Sequence, residues 1–320
     1  MLAAPSVVLS SRSHAARFMI VLTLCNHKGG TGKTTSAIHL AAALGLSGRR
    51  TLVVDLDPQG FLTRMLGVDE PAPEGSSLVL FEMNRSLREV EMVPMSGFDL
   101  LPSSMALTRA MRQLNKPADV LWAKDSLGQG GLDYDVVLFD TAAAVTVFSL
   151  NALVASRYCI IPVTPEHQPV LGAEQTFQTA RLVQSKLNPD LTDPLFLLTQ
   201  VDARKGTHTA YRTMLRGYYG PCVMRSPIRT STSLSRTYAR GTTAFDHDPY
   251  GRGAVDYANA VDELLGVIAA GGLRTNVRAR DVAEHAALAK APTLRVTPKP
   301  AEGDAPGTLA AAVAAFSPEA

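Results

Sequence analysis

The stretch MIVLTLCNHKGGTGKTT occupies residues 19–35. Its first seven residues are an uninterrupted apolar run apart from Thr23, the length and character of a buried strand. A glycine-rich loop follows, and a helical pattern begins at Lys33 and runs to Leu46. From His27, eight residues fit Gly-x-x-x-x-Gly-Lys-Thr with the first glycine replaced. Glycine permits backbone torsions that turn successive N–H groups inward, and a helix N-terminus adds a positive field, so such a loop cradles a polyphosphate. Gly29, Gly30, Thr31, Gly32, Lys33, Thr34 and Thr35 are the candidate binding residues. The motif places Lys33 on the β- and γ-phosphates and the Thr34 hydroxyl on magnesium. A merely structural glycine turn would need neither the preceding strand nor Lys33-Thr34-Thr35 at the helix start.

Outward from this loop, apolar runs alternate with helical patterns. Strands are expected over 51–55, 134–140, 158–163 and 195–199, and helices over 104–114, 148–154, 171–187, 206–217 and 255–270. Near-continuous apolar strands mark a sheet covered on both faces. The expected fold is a single α/β domain, a mostly parallel twisted sheet with helices on both faces, of the P-loop NTPase class. Ile38, Ala41, Ala42 and Gly45 share one face of the first helix, where small side chains permit close packing. Gly271 and Gly272 signal the end of the last helix. The domain is therefore set at 19–272. Residues 1–18 hold Arg12, Arg17 and no acid, as a transit peptide would. Met19 opens the first strand directly, so an upstream, disordered extension is the simpler reading. Residues 273–320 are rich in Ala and Pro and read as a flexible tail, within which 281–290 could form a helix.

Composition excludes several classes. Of 320 residues, 46% are hydrophobic, enough for a sizeable core and too many for a disordered chain. Cys25, Cys159 and Cys222 lie far apart without a CxxC pair, so neither a disulfide framework nor a zinc site is expected and a reducing, cytoplasmic setting fits. No apolar run approaches the roughly 20 residues of a membrane span.

Carboxylates end two of the strands. Asp55 and Asp57 lie in VDLDPQG at 54–60, and Asp140 closes the apolar run DVVLFD at 135–140. Parallel-sheet sites form at strand carboxyl ends, so all three belong beside the phosphate loop. A carboxylate ending a strongly apolar strand is the Walker B pattern, which holds magnesium. Asp55 or Asp57 could instead cap the turn after the strand.

Taken together, these stretches resemble the ParA/MinD family of deviant Walker A ATPases, over roughly residues 19–268. The resemblance makes Lys28 the family's signature lysine, reaching the nucleotide of a second subunit, so that ATP joins two copies face to face. It also makes Asp57 the residue that orients the attacking water, beside Lys28 and Lys33 in the catalytic set, and gives Asp55 and Asp140, with Thr34, to the magnesium shell. Asn151-Ala152-Leu153 matches the family's loop-helix segment, IPVTPE at 161–166 the border of the dimer interface, and TQVD at 199–202 the strand end near adenine. Asp140-Thr141-Ala142-Ala143 departs from the family's Asp-x-Pro-Pro, and without two fixed φ angles that loop is expected to be less constrained. The implied cofactors are ATP and Mg2+.

Between Ala203 and Phe245 there is no Asp or Glu, while Arg204, Arg216, Arg225, Arg229, Arg236 and Arg240 all fall there. Such a stretch is either a phosphate-contacting surface or a set of arginines paired with acids elsewhere. The resemblance favours non-specific DNA binding after dimerisation, with a ParB-like or centromere-binding partner, although IRTS at 228–231 stands where the family has Ile-Pro-Arg-Asn. Other readings are a membrane-surface ATPase like MinD, a conjugation accessory ATPase, and a redox protein like the nitrogenase iron proteins. The tail 273–320 lacks a bulky basic amphipathic helix, so no membrane partner is expected. The three cysteines are misplaced for an interfacial cluster.

Overall fold

A computed structural model of the protein describes residues 19–82, 86–237, 241–275 and 277. The expectations for 1–18, for the tail from 278 with its possible helix at 281–290, and for Arg240 lie outside the described residues.

The strands are β1 (Ile20–Leu24), β2 (Thr51–Asp55), β3 (Val93–Pro94), β4 (Asp99–Leu101), β5 (Val136–Asp140), β6 (Tyr158–Val163) and β7 (Leu195–Leu198). They form one sheet in the order β3-β4-β2-β5-β1-β6-β7, parallel except where β3 pairs with β4. The helices are α1 (Lys33–Leu46), α2 (Phe61–Met65), α3 (Ala106–Gln113), α4 (Trp122–Gly128), α5 (Val147–Ala155), α6 (His167–Lys186), α7 (Gly206–Tyr219), α8 (Thr232–Thr237), α9 (Ala244–His247) and α10 (Arg252–Ala269). The α/β class and the five anticipated strands are found. The two short strands β3 and β4 extend the sheet beyond them, too brief to carry a period-2 signal.

Side chains alternate between two buried faces, as a doubly covered sheet requires. Leu22, Leu24, Val53, Val136 and Leu138 join α1 and α10 in one core. Val21, Leu52, Val54, Val137 and Phe139 face the opposite side, against residues of α3, α4 and α5. A third core wraps β6 and β7 with α5, α6 and α7. Ala41 and Ala42 are buried as expected, whereas Gly45 serves a different contact: a Cβ there would lie 1.7 Å from the Gly97 carbonyl oxygen in the β3–β4 turn. No helix among the described residues is long and apolar enough to cross a membrane.

Gly271 and Gly272 take φ of 84° and 88° and end α10 as glycine C-caps do, with Gly272 N–H donating to Val267 C=O at 2.9 Å. The chain stays attached beyond them. Thr275 donates through both N–H and hydroxyl to one carboxylate oxygen of Asp193, and Arg181 pairs with the other. Asp193 N–H donates to Leu273 C=O at 2.9 Å, and Leu273 and Val277 pack on the core.

Candidate nucleotide-binding site

The loop between β1 and α1 is built from backbone outward. Gly30 and Gly32 adopt φ of 75° and 83°, a left-handed conformation that side chains with a Cβ rarely take. The loop's carbonyl groups are held by side chains. Thr199 Oγ1 donates to Thr31 C=O at 2.8 Å and Gln200 Nε2 to Gly30 C=O at 2.7 Å. Lys33 Nζ and Thr31 Oγ1 both donate to Lys28 C=O, at 3.2 and 3.3 Å. The entry to the loop is equally fixed. Asn26 Nδ2 donates to Pro162 C=O at 2.7 Å, its Oδ1 accepts Lys28 N–H at 2.9 Å, and His27 N–H donates to Thr176 Oγ1 at 2.9 Å. Lys28 lies against α6 where a glycine makes room: a Cβ at Gly172 would sit 2.8 Å from Lys28 Cβ.

A cleft of about 560 Å³ opens beside this loop. Gly29, Gly30, Gly32, Lys33, Thr34 and Thr35 line it, together with Asp57, Thr141, Ala143, residues 228–231, Leu234 and Tyr257. Lys33 is 7% exposed, and burial lowers its pKa against the opposing influence of Asp140.

Asp55 and Asp140 are direct neighbours on β2 and β5, and both are fully buried. Burial and the Asp55 charge push the Asp140 carboxyl up to about 8, although Thr34 Oγ1 donates to its Oδ2 at 2.8 Å. Asp140 Oδ1 is buried without a hydrogen-bond partner. A buried carboxylate with an orphan oxygen, next to a threonine hydroxyl at the mouth of a glycine-rich loop, is a donor set that suits a divalent cation of the magnesium type, whose charge would favour the ionised form against burial.

Asp55, expected in the magnesium shell, is held by hydrogen bonds from its own turn and from α2. Its Oδ1 accepts Asp57 N–H at 3.0 Å and its Oδ2 accepts Thr63 N–H and hydroxyl at 3.0 and 2.7 Å. Burial still raises its pKa, to about 6. Both oxygens are engaged, so Asp55 braces the turn that carries Asp57. Asp57 itself is half-buried on the cleft wall, its Oδ1 accepting Gln59 N–H at 2.9 Å. The loop after Asp140 is better anchored than its missing prolines suggest, because Thr141 is 2% exposed and donates its hydroxyl to Leu24 C=O at 2.8 Å.

The basic segment divides. Arg204 forms a two-pronged pair with Asp202, at 2.9 and 2.8 Å. Arg229 grips the buried Asp256 of α10 through Nε, Nη2 and its own backbone N–H, and lines the cleft. Both side chains are paired and still exposed, Arg204 at 89% and Arg229 at 49%, so pairing offsets their charge without removing them from the surface. Arg216, Arg225 and Arg236 are exposed.

Several residues of the site gave no local signal. His39 on α1 bonds Thr35 C=O through Nδ1 at 2.8 Å and accepts Ala244 N–H through Nε2 at 3.1 Å. It stacks on Tyr257, whose hydroxyl meets Ser36 Oγ at 3.0 Å. Asp256, Tyr257 and Ala244 lie some two hundred residues from α1, and only the packing of α9 and α10 brings them there. All three cysteines are buried, so none is presented at a surface for an interfacial cluster.

A family model described as AAA domain matches residues 19–193. The sporulation initiation inhibitor protein Soj of Bacillus subtilis is 30% identical over 249 residues, covering 76% of this chain and 97% of Soj. The chromosome-partitioning ATPase Soj of Thermus thermophilus is 34% identical over 244 residues, covering 76% and 94%. Among solved structures, cobyrinic acid a,c-diamide synthase from Mycobacterium smegmatis with bound ADP and magnesium aligns with a TM-score of 0.68 at 29% identity, over 81% of this chain and 100% of that one. With the loop geometry, the strand-end carboxylates and relatives matched over nearly their whole length, the chain belongs to the ParA/MinD family of P-loop ATPases.

Proposed function

We propose that the protein is a magnesium-dependent ATPase that dimerises on ATP, binds DNA without sequence preference in that state, and drives partition or cargo positioning with a ParB-like partner. The observation that carries the nucleotide part is the orphan oxygen of Asp140 beside Thr34, at the mouth of a loop whose carbonyls are turned to side-chain partners. Support for the partition role comes from the Soj relatives, two of which are named for chromosome partitioning.

In this reading the loop N–H groups and Lys33 bind the phosphates, and Thr34 with Asp140 would hold magnesium. The metal, when bound, offsets charge on the β- and γ-phosphate oxygens. Asp57, fixed by the Asp55 brace, orients the attacking water. Lys28, presented by Asn26 and the gap at Gly172, adds a cation from a second copy. Phosphoryl transfer depends on such positioning and charge neutralisation more than on a strong base. Arg216, Arg225 and Arg236 supply exposed charge for DNA phosphates, the exposed but paired Arg204 and Arg229 add a partly offset share, and Arg240 belongs to the same basic stretch of sequence. The ATPase unit runs from Met19 through the anchored residues near Val277.

Calorimetry with magnesium and a non-hydrolysable ATP analogue, with sedimentation of the same samples, tests the first two claims. Saturable binding with doubling of mass is expected. Absence of binding by folded protein overturns the reading, and binding to a chain that stays single removes its dimeric half. Gel-shift titration of DNA with and without the analogue tests the third, with tighter binding expected in its presence.

A further inference from the structure

Gln200 stands out for its backbone. Its φ is 51°, and Glu70 is the only other non-glycine among the described residues with a positive value. The left-handed region disfavours a residue with a Cβ, and such outliers persist where the surroundings over-determine them. Here the surroundings do. Beyond Gln200, Val201 N–H donates to Ile228 C=O at 3.0 Å and Thr230 N–H to Val201 C=O at 3.1 Å. Thr230 Oγ1 also donates to the Gln200 carbonyl at 3.2 Å.

The conformation has a consequence for side-chain direction. Along an extended strand, successive side chains point to opposite faces. The left-handed turn at 200 breaks that alternation just past the end of β7, and Thr199 and Gln200 both reach the same loop. Thr199 takes the Thr31 carbonyl and Gln200 the Gly30 carbonyl. A trans peptide is planar, with its C=O and N–H pointing opposite ways. The Gly30 carbonyl shares its peptide with Thr31 N–H, and the Thr31 carbonyl shares its peptide with Gly32 N–H. Holding each carbonyl therefore also fixes the direction of the paired N–H, which points away from the side chain that holds the carbonyl.

We propose that Gln200 is a positioning residue of the phosphate loop, using a strained backbone to aim Thr31 N–H at the phosphates as Thr199 aims Gly32 N–H. The assignment deepens the nucleotide reading and rests on it. Gln200 lines the cleft, so a direct contact to the base is the competing role. Two variants and two ligands separate these. Gln200→Met keeps the length and the strain but removes the donor. Gln200→Gly removes the donor and relieves the strain. Each is titrated calorimetrically, in magnesium, with a non-hydrolysable ATP analogue and with inorganic tripolyphosphate, and its thermal unfolding is recorded.

Positioning predicts that both variants bind both ligands about three- to tenfold more weakly, the worth of one hydrogen bond, while Gln200→Gly unfolds at a higher temperature than Gln200→Met. Four results overturn the proposal. Loss with the ATP analogue alone assigns Gln200 to the base. Affinity that follows unfolding temperature, retained in Gln200→Gly and lost in Gln200→Met, assigns it a purely structural role. Unchanged affinity in both variants removes any role at the loop. A wild-type protein that binds neither ligand overturns this proposal together with the nucleotide reading beneath it.

Discussion

The phosphate loop and the basic segment after β7 both line a single cleft, and they obey different rules. In the loop, function follows from backbone: glycines at φ of 75° and 83° and a lysine and threonine at the head of a helix are useful wherever that geometry forms. In the basic segment, function depends on what each arginine meets at long range. All four of Arg204, Arg225, Arg229 and Arg236 are exposed, but Arg204 pairs with an acid two residues away and Arg229 with one on α10. A run of like charge is therefore a poor guide to a binding surface, because acids outside the run decide which charges remain available.

The comparison can be broken at its strongest point first. On the proposed role of Lys33 at the phosphates, Lys33→Ala should weaken binding of the magnesium–ATP analogue by at least about a hundredfold, because it removes the one buried cation of the loop. Calorimetry checks this, and near-normal binding would place the site elsewhere.

His39 joins the two regions, so it tests whether they are mechanically one. Burial holds its imidazole near 4, below its ordinary 6.5. With Nε2 accepting the Ala244 N–H, protonation breaks a bond as well as burying a charge. The lowered folded value means that the full stabilisation is present above about pH 6.5 and is lost as pH falls toward 4, to a total of about 3 kcal/mol. Chemical unfolding of wild type and His39→Gln at pH 7 and pH 4.5 measures it. The gap between the two proteins should narrow or reverse at the lower pH.

Arginine variants sharpen the division inside the basic segment. Arg229→Ala leaves the buried Asp256 carboxylate without its main partner and should cost about 1–3 kcal/mol of stability, the half-exposed guanidinium keeping the figure below that of a fully buried pair. Arg225→Ala and Arg236→Ala should leave the unfolding free energy within about 0.5 kcal/mol of wild type. Each should instead lower the slope of log DNA affinity against log salt by about one. DNA affinity that falls only with Arg229→Ala would reverse the assignment.

What could be read from the chain follows the same division. The phosphate loop, α1, the long parallel strands and Asp140 were legible because each is a contiguous pattern with a local physical cause. Strands β3 and β4 were not, being two and three residues long. The bracing role of Asp55 was visible only as one of two options, because the donor that decides it, Thr63, sits on a five-residue helix with no periodicity of its own. Gln200 and His39 each meet a partner far along the chain, Gly30 and Ala244, and no spacing rule encodes such partners.

The Asp193 clasp has a practical meaning for anyone shortening this protein. Removing everything after residue 271 would strip a buried carboxylate of the Thr275 donors and uncover the apolar seat of Leu273. A stop placed just past Val277 leaves both in place. The durable C-terminal limit for deletion or for fusing a reporter should fall several residues beyond the helix that looks like the natural stopping point.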